Sequence, residues 1–514
     1  MTLSESILWS FVRSVAIASL AIWPMCILLN QIEGSTSIRW RRTWLLLSVF
    51  PFFVPELLIG FHYRLTATQL SSGASPWVAA FCNETLYLLL QVSRCMAVGV
   101  AVSMLFPDSQ VTRESLFSWN WLRSFKSLSN WCLGWLRLQI AGPWQRMLVS
   151  WSLMALIAFQ EFETAALMQI DRHPIAWSVW LFDAHAAGQP LSESLRMILV
   201  PLFCELLLLS PAIYLLMKTR SSELVVEHRD SMVCLNCTTF RARAIGIACL
   251  TPGMVLFIVW PVFANIRTTL SGMIALLSQT TRLQQSLEQL LTSVGFAVGA
   301  TILSMNLASM ILQSGQTRGQ FRVQRLSICL VFPGLVGGLV VSLLLLSFFQ
   351  LTYLSAFYDS WLPMLLGQTL VVLPKSMAIV FLLRRTLAQS SLYSAKLLMR
   401  SDDRMIRRHA AGLLWRMTTS RWLLGALVIL HWCFWDVTVA SILRPVQLEP
   451  VVTRLYNEMH YGRTEALMSL SMLAGLAPFA VGGFVMLASF LRATLFIATS
   501  PVASTVRPEL AGKS

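Results

Sequence analysis

From Ser327 to Gln350 the chain reads SICLVFPGLVGGLVVSLLLLSFFQ, without one charged side chain. A helix of that length crosses the roughly 30 Å of a bilayer's hydrocarbon core. Arg318, Arg322 and Arg325 stand just before the stretch, and residues 351–360 after it carry no Lys or Arg. A long apolar run with cations at one end is the signature of a membrane span whose basic end faces the cytoplasm.

Comparable runs recur along all 514 residues. Hydrophobic residues make up 56% of the chain and charged residues only 12%, with a mean hydropathy of +0.65. Ordinary soluble domains carry roughly 25% charged residues, so a soluble multidomain protein is excluded and a bilayer is the solvent. Barrel strands would alternate in segments of about 10 residues; these runs are continuous and twice as long, which predicts an all-α, polytopic membrane protein. About eleven spans follow, over 9–31, 43–62, 78–106, 145–169, 194–217, 243–267, 286–313, 327–350, 361–384, 421–443 and 467–490. The first has no small-residue cleavage site behind a short apolar core, and is expected to be retained rather than removed as a signal peptide.

The net charge of +15 lies in clusters between spans, which accounts for it without nucleic acid. Arg39, Arg41 and Arg42 follow the first span, placing that loop inside and the N-terminus outside. Alternate loops agree: 107–144 carries Arg113, Arg123, Lys126 and Arg137, and 218–242 carries Lys218, Arg220, Arg229, Arg241 and Arg243. The loop after 384 carries Lys396, Arg400, Arg404, Arg407, Arg408 and Arg416. Eleven crossings then leave the C-terminus in the cytoplasm, and the expected location is the inner (plasma) membrane.

The chain also repeats itself. Val49-Phe50-Pro51 matches Val331-Phe332-Pro333, 282 positions on, and Arg94-Cys-Met-Ala-Val98 matches Lys375-Ser-Met-Ala-Ile379, 281 on. Glu161 falls opposite Asp436, and Phe182–Gly188 parallels Tyr456–Gly462 at an offset of 274. Matched spans cross in the same direction, so the expected layout is a parallel repeat about an axis along the membrane normal. The span at 243–267 has no partner. Two units follow, 1–220 with five helices and 243–500 with six.

The second unit resembles the fused, two-half permease of ferric-iron and thiamine ABC importers (type I). The resemblance rests on Trp435-Asp436-Val437-Thr438, Leu443-Arg444-Pro445 and the run from Thr453 through Tyr456-Asn457-Glu458-Met459-His460-Tyr461-Gly462 to Arg463. Tyr358-Asp359-Ser360 and the span ending Arg384-Arg385-Thr386-Leu387 also look like the family. In the first half, Glu161-Phe162, Ala165-Ala166-Leu167 and Trp177–Gly188 form a weaker counterpart. The resemblance implies a translocation path between the halves, a periplasmic solute-binding protein on loops 170–193 and 444–466, and a separate dimeric ABC ATPase against 107–144 and 385–420. It implies ferric iron or a thiamine-like solute.

The departure lies in the Glu-Ala-Ala…Gly loop by which the family docks its ATPase. Here that loop reads Tyr393-Ser394-Ala395-Lys396-Leu397-Leu398-Met399, with Tyr for the Glu and Met for the Gly, and no motif survives near Thr112–Lys126. Tyr393, Ala395, Lys396, Met399 and Arg400 are the coupling candidates on this comparison. An ATP-uncoupled paralogue serving as an assembly or sensory partner is the alternative.

Ionisable groups at membrane depth are costly and face a cavity or a partner. Those here are Glu56, Arg94, Glu161, Glu163, Glu205, Lys375, His431 and Asp436. Arg94, Glu161, Lys375 and Asp436, with Thr438 from the family-like stretch, are the substrate-path candidates. Arg94 and Lys375 occupy matching positions and either face the path or hold helices together; Glu161 and Asp436 either meet the substrate or cap helices. Pro51, Pro55, Pro333, Gly334, Gly337 and Gly338 permit kinks or close packing. The basic stretch Lys396–Arg416 suits an ATPase surface or anionic lipid heads.

No phosphate-binding Gly-rich loop and no catalytic constellation is present, so neither ATP hydrolysis nor another enzymatic activity is expected of this chain. The ten cysteines lie mostly within spans, and Cys234-Leu-Asn-Cys237 has no second pair nearby to complete a zinc site. His173, His185 and His460 lie in outside loops near acidic residues, and no metal is expected there. No cofactor is expected.

Overall fold

A computed structural model describes residues 2–35, 37–105, 134–135, 140, 144–168, 176–219, 240–314, 329–385, 389–399, 401, 403–460 and 464–499. The chain is an all-α polytopic membrane protein. Among the described residues there is no strand. Hydrocarbon offers no water to backbone groups, and helices satisfy them within one segment.

The chain opens with α1 (Leu3–Gly34), fixed by a reciprocal cap: Thr2 N–H donates to Glu5 Oε2 at 2.8 Å and Glu5 N–H to Thr2 Oγ1 at 3.4 Å. There follow α2 (Ile38–Val49), a 3₁₀ turn at Phe50–Phe53, α3 (Glu56–Ser71), α4 (Pro76–Leu105), α5 (Trp144–Gln160), α6 (Glu163–Met168), α7 (Trp177–Ala186), α8 (Leu191–Met197) and α9 (Leu199–Thr219). Next come α10 (Phe240–Met254), one π-helical turn, α11 (Trp260–Ser278), α12 (Thr280–Ser314), α13 (Gly338–Phe349) and α14 (Trp361–Arg385). The last elements are α15 (Gln389–Leu398), α16 (Arg404–Leu414), another π turn, α17 (Ser420–Phe434), α18 (Val437–Leu443), α19 (Val451–His460) and α20 (Thr464–Thr499).

Eight helical stretches among the described residues are long and apolar enough to cross a membrane, or nine when one bent pair is taken as a single span. Of the expected spans, 43–62, 145–169, 327–350 and 421–443 are broken rather than continuous. The first bends by 75° between Ile38–Phe53 and Glu56–Gln69. Its cause is local: Val54 and Pro55 are extended, and Pro55 has no N–H to continue a helix. In 327–350 the break falls at Val336-Gly337, with Gly337 at φ +90°, a backbone that side chains disfavour. Positions 54, 55 and 56 of the first break map onto 336, 337 and 338 of the second at the 282-residue offset. The other two breaks, at Glu161-Phe162 and Trp435-Asp436, each begin at an acid or just before one.

Packing follows the same pairing. In the first stretch α1 packs on α4, α5 and α7, α4 on α5, α3 on α4 and α6, and α5 on α9. In the second α12 packs on α14, α17 and α19, α14 on α17, α13 on α14 and α18, and α17 on α20. Helix α10 lies against α1, where Gln31 Nε2 donates to the Ala242 carbonyl at 3.0 Å, while α11 leans on α20. Only 17% of the apolar window of Arg241–Ser278 is buried, which leaves Phe263 and Ile274 exposed on the outer surface.

Gly334, just before the second break, is held by proximity. A Cβ there would run into the Leu370 carbonyl and the Pro374 ring of α14. Gly483, on α20, has nothing within 4 Å of the same built atom. Gly334→Ala is therefore expected to destabilise the protein by about 1–3 kcal/mol, and Gly483→Ala, in the middle of a helix with open space around it, to leave stability unchanged or raise it by up to about 1 kcal/mol. Thermal melting of the two variants in detergent checks the contrast; equal melting points would reject the close approach.

Candidate functional site

Breaking a helix inside the membrane exposes N–H groups that have no partner four residues back. Three carboxylates fill that need here. Glu161, 5% exposed, accepts from Thr164 N–H at 2.5 Å and Ala165 N–H at 3.1 Å, and so caps α6. Asp436 accepts from Val439 N–H at 3.1 Å and caps α18. Glu163 reaches across the molecule, taking Leu57 N–H of α3 on Oε2 at 3.0 Å and Val437 N–H of α18 on Oε1 at 3.3 Å. Each helix start carries roughly half a positive charge, so an anion is favoured at each.

Around these caps stand two half-buried cations. Arg94 is ion-paired with Glu56 in the first turn of α3 and lies in electrostatic reach of Glu161 and Glu163. Lys375, on α14, feels Asp436 and Glu163 in the same way. Both lie against aromatic rings, Arg94 6.0 Å from the centroid of Phe52 and Lys375 5.5 Å from that of Trp432. Those rings belong to a single stack: Phe53 lies parallel to Trp432 with centroids 5.9 Å apart, and Phe52 is 5.1 Å from Trp432. His431 Nε2 donates to the Phe53 carbonyl at 2.7 Å, tying α17 to the first break. Gln160 ties α5 to the second break, donating to the Leu335 carbonyl at 2.7 Å and to Glu205 Oε1 at 3.1 Å.

The expected path residues Arg94, Glu161, Lys375 and Asp436 are thus brought into one cluster. Thr438 lies beside it in the first turn of α18, where it packs against the position of Gly338. Glu161 and Asp436 cap helices, the structural role open to them in the sequence. The cluster also contains residues that pattern alone left without a role. Glu163 occurred only as one acid at depth; its place two residues after Glu161, across a break, was the available signal. Gln160, Tyr87 and the Phe52-Phe53/Trp432 stack had no such signal.

Tyr87, fully buried, extends the cluster outward. Its hydroxyl donates to Glu161 Oε2 at 2.7 Å, while the Arg13 guanidinium covers its ring at 4.4 Å and pairs with Glu84 at 3.3 Å.

The coupling candidates lie on and after α15. Tyr393 and Lys396 are exposed, Ala395 is buried in the helix pair formed with α16, and Met399 is half-buried. Arg400 lies outside the described residues, as do His173, Cys234 and Cys237. Among the described residues no group of three or more His, Cys, Asp and Glu side chains is arranged to hold a metal ion. A polar cavity of ≈ 500 Å³ opens elsewhere, between α12 and the 447–449 loop, lined by Gln285, Glu288, Gln289, Thr292, Glu449 and Arg454.

No protein-family model, curated protein or solved structure matches the chain.

Tyr87→Phe removes the hydroxyl that holds a charged cap. Because hydrogen bonds to charged groups contribute about 1.5–3 kcal/mol, the variant is expected to lose stability in that range. Unchanged thermal melting in detergent would show that Glu161 holds α6 without Tyr87.

Proposed function

We propose that the chain is the permease subunit of an ABC importer, with eleven spans in two parallel units of five and six helices. The observation that carries the proposal is the charge cluster itself, where broken helices from both stretches of the chain turn their N-termini on one buried point. Transporters place solute sites at such half-helix ends near the bilayer midplane. The repeat reading is supported by the breaks at matched positions and by the matched packing of α1 with α4 and α5 and of α12 with α14 and α17. The family-like stretch around Asp436–Arg463 supports the importer class.

In this reading a solute such as ferric iron or a thiamine-like molecule passes between the two units, handed over by a periplasmic binding protein at the loops before α8 and after α18. The polar cavity between α12 and residues 447–449 lies on that outer face. A separate dimeric ATPase drives rocking through α15 and α16, whose paired short helices present Tyr393, Leu397 and Met405 outward. The chain sits in the inner membrane with its N-terminus outside and C-terminus in the cytoplasm. The replacement of the family's Glu and Gly by Tyr393 and Met399 favours the second reading, an ATP-uncoupled paralogue that serves as an assembly or sensory partner.

Purification in mild detergent from its native membrane separates the two. An ATPase that comes down with the intact chain, and is lost when Tyr393 and Leu397 are changed to Asp, is the outcome expected for the permease. Recovery of the chain with no ATPase, under conditions that keep other importers whole, rejects it in favour of the paralogue. Reporter fusions test the layout: the N-terminal fusion is expected outside and the C-terminal one inside, and both on one face would exclude eleven crossings.

A further inference from the structure

Glu163 differs from the other two caps. Glu161 and Asp436 each serve the helix that follows them, whereas Glu163 sits in α6 and accepts from two other helices. Leu57 is the second residue of α3 and Val437 the first of α18, 380 positions apart in the chain. Neither N–H has a partner within its own helix, because both lie in a first turn. A buried N–H left unpaired is costly, and a buried carboxylate stripped of its donors more so.

The surroundings make this contact a poised one. Asp436 and Glu161 lie in electrostatic reach of Glu163 and repel it, while Arg94 and Lys375 attract it. Two N–H bonds and two cations hold the carboxylate where two like charges oppose it. Separating α18 from α3 would break at least one of the N–H bonds and admit water to the seam beside which Phe53 and Trp432 stack. At the matched position of the second unit, 275 residues on, stands Thr438, whose hydroxyl carries no charge. The bridge therefore exists on one side only.

We propose that Glu163 is a positioning residue that latches α3 to α18 across the seam, and that releasing it opens the seam to water. That the seam is a solute path rests on the permease reading; the latch itself is a property of the chain alone. Cys433 offers the readout. It lies on α17 two residues before the break, is 1% exposed and is in electrostatic contact with Lys375.

The experiment uses the full-length chain with Cys433 as its single cysteine, in permeabilised membranes without ATPase, binding protein or solute. The rate at which a small charged thiol reagent labels Cys433 is measured. Glu163→Gln keeps the volume but can accept at one oxygen only, and Glu163→Ala removes both. Both are expected to raise the labelling rate about tenfold or more, in keeping with loss of a charged hydrogen bond, and Glu163→Asp to fall between them and the parent. Glu33→Gln, which breaks the 2.6 Å ion pair to Arg146 away from the seam, is expected to label at the parent rate. If Glu163→Ala fails to insert, Glu163→Gln decides alone. Labelling of the Glu163 variants at the parent rate, or an equal rise in Glu33→Gln, overturns the latch. Because no ATPase or solute is present, this result stands whether or not an ATPase copurifies.

Discussion

A backbone N–H in hydrocarbon must find an acceptor, and that constraint organises the centre of this protein. An uninterrupted helix meets it by itself. Once a helix is broken, the first turn of the next segment presents orphan donors at a depth where water is scarce. The carboxylates of Glu161, Glu163 and Asp436 are the acceptors supplied, and each brings a negative charge that needs its own compensation. Arg94, Lys375 and the helix dipoles provide it. The cluster is thus a consequence of the breaks, and the breaks are a consequence of Pro55, Gly337 and the two acids.

Four carboxylates and two cations meet in this region, counting Glu56 with its Arg94 partner. Each helix start contributes roughly half a positive charge, so the three capped starts bring the sum close to neutrality. Near-neutrality is what allows so many ionisable groups to stay buried together, since isolated charges at this depth are strongly disfavoured. Separating these helices would have to replace the N–H groups and cations around the carboxylates with water.

Much of this was legible in the sequence. Membrane class followed from composition, and each expected span coincides with helical structure in its described part, because long apolar runs leave the chain no other way to satisfy its backbone. Four of those spans proved discontinuous. Pro55 and Gly337 signalled two of the breaks, but nothing in the apolar pattern fixed the turns at Glu161 and Trp435, where a side-chain cap rather than a helix-breaking residue ends the segment. Arg94, Glu161, Lys375 and Asp436 were legible as a group because ionisable residues at depth are rare and these recur in the same order at nearly constant offsets, 281 and 275 positions. Glu163 was not separable from them: its distinction lies in reaching Leu57 and Val437, and tertiary partners 106 and 274 residues away leave no trace in local pattern.

Where two stretches of a chain match in sequence, the positions at which they differ are the informative ones. Glu161 and Asp436 do the same work in the two stretches, each capping the helix that follows. Two residues later the stretches diverge, to Glu163 in one and Thr438 in the other. Thr438 packs against Gly338 and brings no charge, whereas Glu163 places its two oxygens on α3 and α18. A second acid at position 438 would set two carboxylates against each other beside Asp436, in a region already near the limit of its compensating charge. One bridging acid joins α3 to α18; a second beside it would repel the first. The asymmetry at this position is therefore what charge balance asks of a cluster in which two cations already face four carboxylates.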